Sequence, residues 1–274
     1  MKLNFTRIIV VLTTVVFFYT SCKKSENKSV AKTPVNYDAL SSQIALNLVQ
    51  SLSGKYGGTS INDGIKAPAG LSSNGIKGPK LFSTSPFCGF VVDTAYNFSQ
   101  VAGDTTKSYK GEFHFVYNCS SSIVDGYTVH DSLTNTEAGL KFSNTFIIGQ
   151  NYIVKALDNT YKFVSMDGNI SSSIFSNILA LNGSTTSYHN LIFKYLLSGV
   201  QVKIENGIAD ITTGKATFVT LKNDLDSTTP VNGSSSGLSG TITFLGNHKA
   251  KLVIDYNPPK AYMVDLITGV ATPI

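Results

Sequence analysis

The stretch that decides the fold runs from Phe87 to Cys119, FCGFVVDTAYNFSQVAGDTTKSYKGEFHFVYNC. Its apolar side chains Cys88, Phe90, Val92, Tyr96 and Phe98 fall on even positions, whereas Tyr109, Phe113, Phe115, Tyr117 and Cys119 fall on odd ones. A period of two points alternate residues to opposite faces, so each half reads as a strand with one buried face. Turning the chain at Gly103-Asp104 brings those faces into register, with Phe90 opposite Tyr117, Val92 opposite Phe115 and Phe98 opposite Tyr109. The same register sets Cys88 opposite Cys119. Directly opposed residues lie about 4.5 to 5.5 Å apart at Cβ, close to what a disulfide needs. A bond closing this loop contributes about 3 kcal/mol by restricting the unfolded chain. The other reading of the two cysteines is a pair of buried free thiols.

Downstream the alternation continues, punctuated by Asp125-Gly126, Asp167-Gly168, Asn182-Gly183, Asn206-Gly207 and Asn232-Gly233. Such dipeptides supply the positive φ angles of tight hairpin turns, so each is read as a turn. Residues 87–274 are therefore expected to form an all-β domain, an antiparallel meander of about ten strands making a curved sheet, a sandwich or an open barrel. Around Asn206-Gly207 a two-residue turn opposes Lys203 to Asp210, Val202 to Ile211 and Ile204 to Ala209. Around Gly246, a three-residue loop Gly246-Asn247-His248 restores an apolar face by opposing Phe244 to Ala250 and Ile242 to Leu252.

Upstream, Tyr37, Leu40, Ile44, Leu48 and Leu52 recur at helical spacing within residues 36–54. Asn36 is placed as the N-cap and Gly54 as the stop, which predicts one N-terminal amphipathic helix packed on the sheet. Residues 55–86 are rich in Gly, Ser, Pro and Asn and read as a long irregular loop. Residues 22–35 are Lys- and Ser-rich, the composition of a flexible tether. Ahead of them, Lys2 and Arg7 precede the apolar run IIVVLTTVVFFY, Ile8 to Tyr19. That run is short of the roughly 20 residues a membrane span requires, so residues 1–21 read as a signal peptide.

Cys22 follows directly, and Tyr19-Thr20-Ser21-Cys22 resembles the lipobox of bacterial lipoproteins. Ser21 fits the small residue of that motif, while Tyr19 departs from the usual Leu. The loose box and the Asn-Gly turns resemble lipoproteins of the Bacteroidetes. That resemblance implies a diacylated Cys22, membrane attachment through lipid and residence at the outer membrane; it implies no activity. Exported proteins of that group carry O-glycans on Asp-Ser/Thr tripeptides, which Asp104-Thr105-Thr106 and Asp226-Ser227-Thr228 resemble, making Thr105 and Ser227 the candidates in expected loops. Surface export there goes with acidic residues after the lipidated Cys. Lys23-Lys24-Ser25-Glu26-Asn27-Lys28 is mainly basic, which favours the periplasmic face over the cell surface.

Charge is divided unevenly along the chain. Residues 23–80 hold eight Lys against Glu26, Asp38 and Asp63, while the segment from residue 81 onward is slightly acidic. Arg7 is the only arginine, so the part after the signal peptide lacks the side chain best suited to phosphate and base-edge contacts. Nucleic acid is therefore not an expected partner. Trp is absent, which removes the strongest stacking platform.

Few constellations carry chemistry. His114 and His130 fall on polar strand faces, and the register that opposes Phe115 to Val129 also opposes these two, making them weak candidates for a metal site. Asp131 alternates to the other face and leaves no third ligand at a recognisable spacing. His189 opens a strand and His248 sits in a turn. Asp224 and Asp226 read as solvated loop carboxylates, and Ser236-Gly237-Leu238-Ser239-Gly240 as a flexible loop without the strand-turn-helix setting of a nucleophile elbow. No cofactor is implied. The expected function is non-catalytic, a lipid-anchored envelope protein that binds a protein, glycan or lipid partner through exposed Tyr- and Thr-rich strand faces, or supports the envelope. The alternatives are a carrier enclosing a hydrophobic ligand between helix and curved sheet, and a surface glycan hydrolase.

Overall fold

The computed structural model describes residues 36–66, 70–73, 76–80, 86–226 and 234–274. The segments expected to be a signal peptide and a tether, Cys22, Ser227 and the Asn232-Gly233 pair expected to turn all lie outside the described residues. Helix α1 spans Tyr37–Leu52, with the Asn36 side chain accepting from the Ala39 amide at 3.0 Å and Gly54 at φ +71° past its end. Leu40, Ile44, Leu48 and Leu52 form its buried stripe. Among the described residues no helix is long and apolar enough to cross a membrane.

The strands are β1 (Gly70–Ser73), β2 (Ile76–Lys80), β3 (Val91–Ala102), β4 (Thr105–Ser120), β5 (Ile123–Gly139), β6 (Phe142–Ala156), β7 (Phe163–Leu179), β8 (Thr185–Glu205), β9 (Ile208–Asp226), β10 (Ser234–Gly246), β11 (Lys249–Ile254), β12 (Lys260–Asp265) and β13 (Ala271–Pro273). Strands β3 to β13 form one antiparallel sheet in sequence order, and β1 pairs only with β2. The sheet is a meander with two free edges, neither closed into a barrel nor doubled into a sandwich.

One face of the sheet carries the core. Phe113, Phe115, Tyr127, Tyr152, Phe193 and Tyr195 are wholly buried on it, and α1 packs on the same face over β7, β8, β12 and β13. Polar ties fix the helix in place: the Tyr195 hydroxyl donates to the Ile44 carbonyl at 2.8 Å, and Asn47 Nδ2 donates to Ser172 Oγ at 3.0 Å. At 1.5 Å per residue the 16-residue helix is about 24 Å long. Strand β8, at 21 residues, reaches about 70 Å, so one helix covers only part of that face.

The first hairpin follows the expected register, with Val92 opposite Phe115 and Phe98 opposite Tyr109, and Cys88 is bonded to Cys119. The Asn206-Gly207 hairpin also pairs as expected, the two residues taking φ +54° and +76°. At Gly246 the face pairs are as expected, but the loop is a two-residue Asn247-His248 turn beside a bulge between Phe244 and Gly246.

Several expectations need correcting. Residues 55–86 are not simply irregular: a 3-10 turn covers Ile61–Asp63, β1 and β2 form a hairpin, and Tyr56, Ile61 and Ile65 are buried in the core. Asp125-Gly126 lies within β5 and Asp167-Gly168 within β7, so neither is a turn. A Cβ on Gly126 would stand 2.1 Å from the Val154 carbonyl oxygen, so that glycine serves close strand approach. Gly168, at φ +143°, sits at the bulge that follows Met166. The turn before β5 is made by Ser121 and Ser122, both at positive φ without a glycine. Ser236 to Gly240 and Asp224 lie in β10 and β9, not in loops. Thr105 is the first residue of β4, half-buried and paired with Ala102, not a loop residue.

Candidate functional site

The face of the sheet away from α1 is where a ligand would find free side chains. The expectation of exposed tyrosines is wrong here, because Tyr109, Tyr117, Tyr127, Tyr152, Tyr195 and Tyr262 are buried on the helix side. A tyrosine ring removes much apolar area from water while its hydroxyl finds a partner nearby, as Tyr195 does at the helix, and this favours the core face. That face, helix-free among the described residues, carries His, Asn, Ser, Thr and Lys, with exposed Ile147, Ile153, Leu196 and Val219 among them.

A cleft of about 280 Å³ opens on this face above Gly149 of β6. Its origin is local. Every other residue of a strand projects from the same face, and a missing side chain leaves a dent between neighbours. Gly149 is opposed by Ser132 on β5 and Ser171 on β7, both small. The walls are His130, Asn151 and Asn169 on one side and Lys194, opposite Ser171, on the other. A Cβ on Gly149 would come within 2.8 Å of Ser171 Oγ, so any side chain there enters the dent. Two carboxamides, a hydroxyl, an imidazole and an ammonium group offer both donors and acceptors, with positive charge supplied by Lys194. Such a set suits a hydroxyl-rich or carboxylate-bearing molecule.

Beneath the cleft the core face is unusually polar. Asp131 is buried, its Oδ1 accepting from the Gln150 amide at 2.9 Å while Oδ2 has no partner among the described residues. Burial pushes its carboxyl well above the usual carboxylate range, and the Gln150 amide only partly opposes this. Gln150 itself holds the segment after α1, its Nε2 donating to the Ser51 carbonyl at 3.0 Å and its Oε1 accepting from the Thr59 amide at 2.9 Å. Tyr96 is pushed up to about 12, chiefly by burial, with Asp131 adding to the effect.

The candidate histidines are placed as follows. His114 and His130 are directly opposed, as expected, and both lie on the helix-free face. The register adds a residue that sequence spacing did not show: Asp93 of β3 is opposed to His114, with Oδ2 3.6 Å from Nδ1. Among the described residues no three His, Cys, Asp or Glu side chains are gathered around a single point. His189 and Asp224 are also brought together, Nδ1 to Oδ1 at 3.0 Å, with Lys222 on the other carboxylate oxygen at 2.7 Å. Partial burial works against ionisation of Asp224, yet hydrogen bonds from Lys222 and His189 hold it below the ordinary carboxylate range. Ser176 stands opposite His189, but its hydroxyl donates to Asn144 Oδ1 at 2.7 Å instead of to the imidazole. Sequence reasoning missed Gly149, Asn151, Asn169 and Lys194. The one signal that pointed to them is a glycine inside an alternating strand, which marks close approach or a dent.

Comparison of the chain with protein-family models, with curated proteins and with solved structures found no match.

Proposed function

We propose that this is a lipid-anchored protein of the bacterial cell envelope, held at the outer membrane by Cys22, with a non-catalytic role in binding a polar ligand. The observation that carries the binding reading is the cleft at Gly149, walled by His130, Asn151, Asn169 and Lys194 on a face that no described helix covers. The hydrogen-bonding set favours an envelope glycan or another hydroxyl-rich, carboxylate-bearing molecule. The carrier alternative draws no support from the helix side. There Ile44, Leu48 and Leu52 are fully buried against the sheet, and direct hydrogen bonds join the two layers.

Three experiments test the proposal. Labelled palmitate should enter the wild-type protein and not Cys22→Ala, which should leave the membrane fraction; equal labelling would refute the anchor. Binding to isolated envelope polysaccharide should fall at least tenfold in Gly149→Val, which fills the dent without touching the core, and in Lys194→Ala. Unchanged binding in both would refute the cleft. Protease treatment of intact cells should leave the protein uncut if it resides on the periplasmic face.

A further inference from the structure

The row Asp93, His114, His130 and Asn151 runs straight across β3, β4, β5 and β6, each residue directly opposed to the next. All four project from the helix-free face. Opposed Cβ atoms stand about 4.5 to 5.5 Å apart, a spacing from which two imidazoles can each bring one nitrogen to a shared ion. The Asp93 carboxylate lies 3.6 Å from His114 Nδ1, which leaves Nε2 as the nitrogen free to coordinate. A carboxylate behind the non-coordinating nitrogen is the usual support of a metal-bound histidine, fixing its tautomer and raising its basicity.

We propose that His114 and His130 bind one divalent transition-metal ion through their Nε2 atoms, with Asp93 as a positioning residue and the Asn151 amide oxygen as a third donor. Imidazole nitrogens select zinc or copper over calcium and magnesium, which require oxygen ligands. Glu112, two residues along β4 on the same face, adds negative charge beside the ion. Water completes the coordination, so the ion keeps positions open toward the neighbouring cleft, of which His130 and Asn151 form one wall. The inference goes beyond the glycan reading and stands apart from it, because zinc binding is measured with no other ligand present.

The test is calorimetric titration of the tag-free, full-length protein with zinc alone at neutral pH, alongside histidine nitrogen-15 NMR. One ion per chain is expected, with the Nε2 signals of two histidines moving together. His114→Ala and His130→Ala should each abolish saturable binding, and Asp93→Asn should weaken it about tenfold to a hundredfold. His189→Ala and His248→Ala should bind as the wild type does. Lys194→Ala should also bind zinc normally even where it loses polysaccharide, which keeps this inference separable from the ligand reading. Absence of saturable binding, or stoichiometry unchanged in both His114→Ala and His130→Ala, overturns the proposal.

Discussion

Removing the Cys88–Cys119 bond is expected to weaken the fold at its most exposed strand. The two cysteines are 31 residues apart, and the loop-closure relation for that separation gives about 3 to 4 kcal/mol at 25 °C. Against a usual total of about 5 to 15 kcal/mol, that is a large share. The bond secures the start of β3, which pairs only with β4 and has Tyr96 as its one fully buried side chain. Without it, Phe87 to Phe90 keep one backbone hydrogen bond to β4, from the Tyr117 amide to the Phe90 carbonyl at 3.2 Å, and the ring contacts of Phe90 with Tyr117 at 5.6 Å and Phe115 at 6.5 Å. The Cys88→Ser, Cys119→Ser double variant should therefore lower the urea midpoint by more than about 1 M, given slopes of at most about 3 kcal/mol/M for small proteins. Amides of Val91 to Tyr96 should exchange with solvent faster than those of β6 to β9, because β3 is free to fray before the sheet opens. A double variant with wild-type midpoint and exchange pattern would refute the reasoning, once alkylation without reductant had shown the wild-type bond to be formed.

Three other outcomes follow from the core. For Asp131, the folded carboxyl titrates above its unfolded value of about 3.9, so the folded state holds its proton longer and stability declines as pH rises from that value toward the folded pKa. Asp131→Asn keeps the acceptor for the Gln150 amide and removes the ionisation; its midpoint should exceed wild type at pH 7 with the gain vanishing near pH 4, and parallel profiles would refute this. Gly126→Ala should cost about 3 kcal/mol because its Cβ meets the Val154 backbone oxygen, whereas Gly183→Ala, in an open turn at φ +79°, should cost about 1 kcal/mol; equal costs by denaturant titration would show that Gly126 is not a site of close approach. Leu48→Ala, at a wholly buried position under the sheet, should cost about 2 to 5 kcal/mol and loosen the Tyr195–Ile44 contact seen by near-UV circular dichroism.

Legibility was greatest where local chemistry and pairing agree. The apolar alternation of Phe87 to Cys119 contains its own register, because a one-residue slip would turn every buried ring to solvent. The helix was legible from Asn36 to Gly54 because cap, stripe and stop lie within one short segment. Glycine-based turns are less legible. Asp125-Gly126 and Asn206-Gly207 look alike in sequence, but only the second turns the chain, since the first answers to a neighbouring strand's carbonyl. The Ser121-Ser122 turn carried no glycine to announce it. The segment after the helix reads as irregular because its polar composition conceals Tyr56, Ile61 and Ile65, which are buried in the core.

What the sequence by itself determined are properties carried by short range: period-two strands, the helix with its ends, and the pairing of Cys88 with Cys119. A hairpin of adjacent strands needs no information from elsewhere in the chain. Tertiary structure alone decided that the meander stays one open sheet, that the tyrosines crowd the helix side, and that Asp93 joins His114 and His130 in a row. It alone placed Gly149 between Ser132 and Ser171 and so made a cleft. The reason is geometric: the side chains that line each site come from four strands, and their spacing along the chain is set by strand and turn lengths that no local pattern encodes.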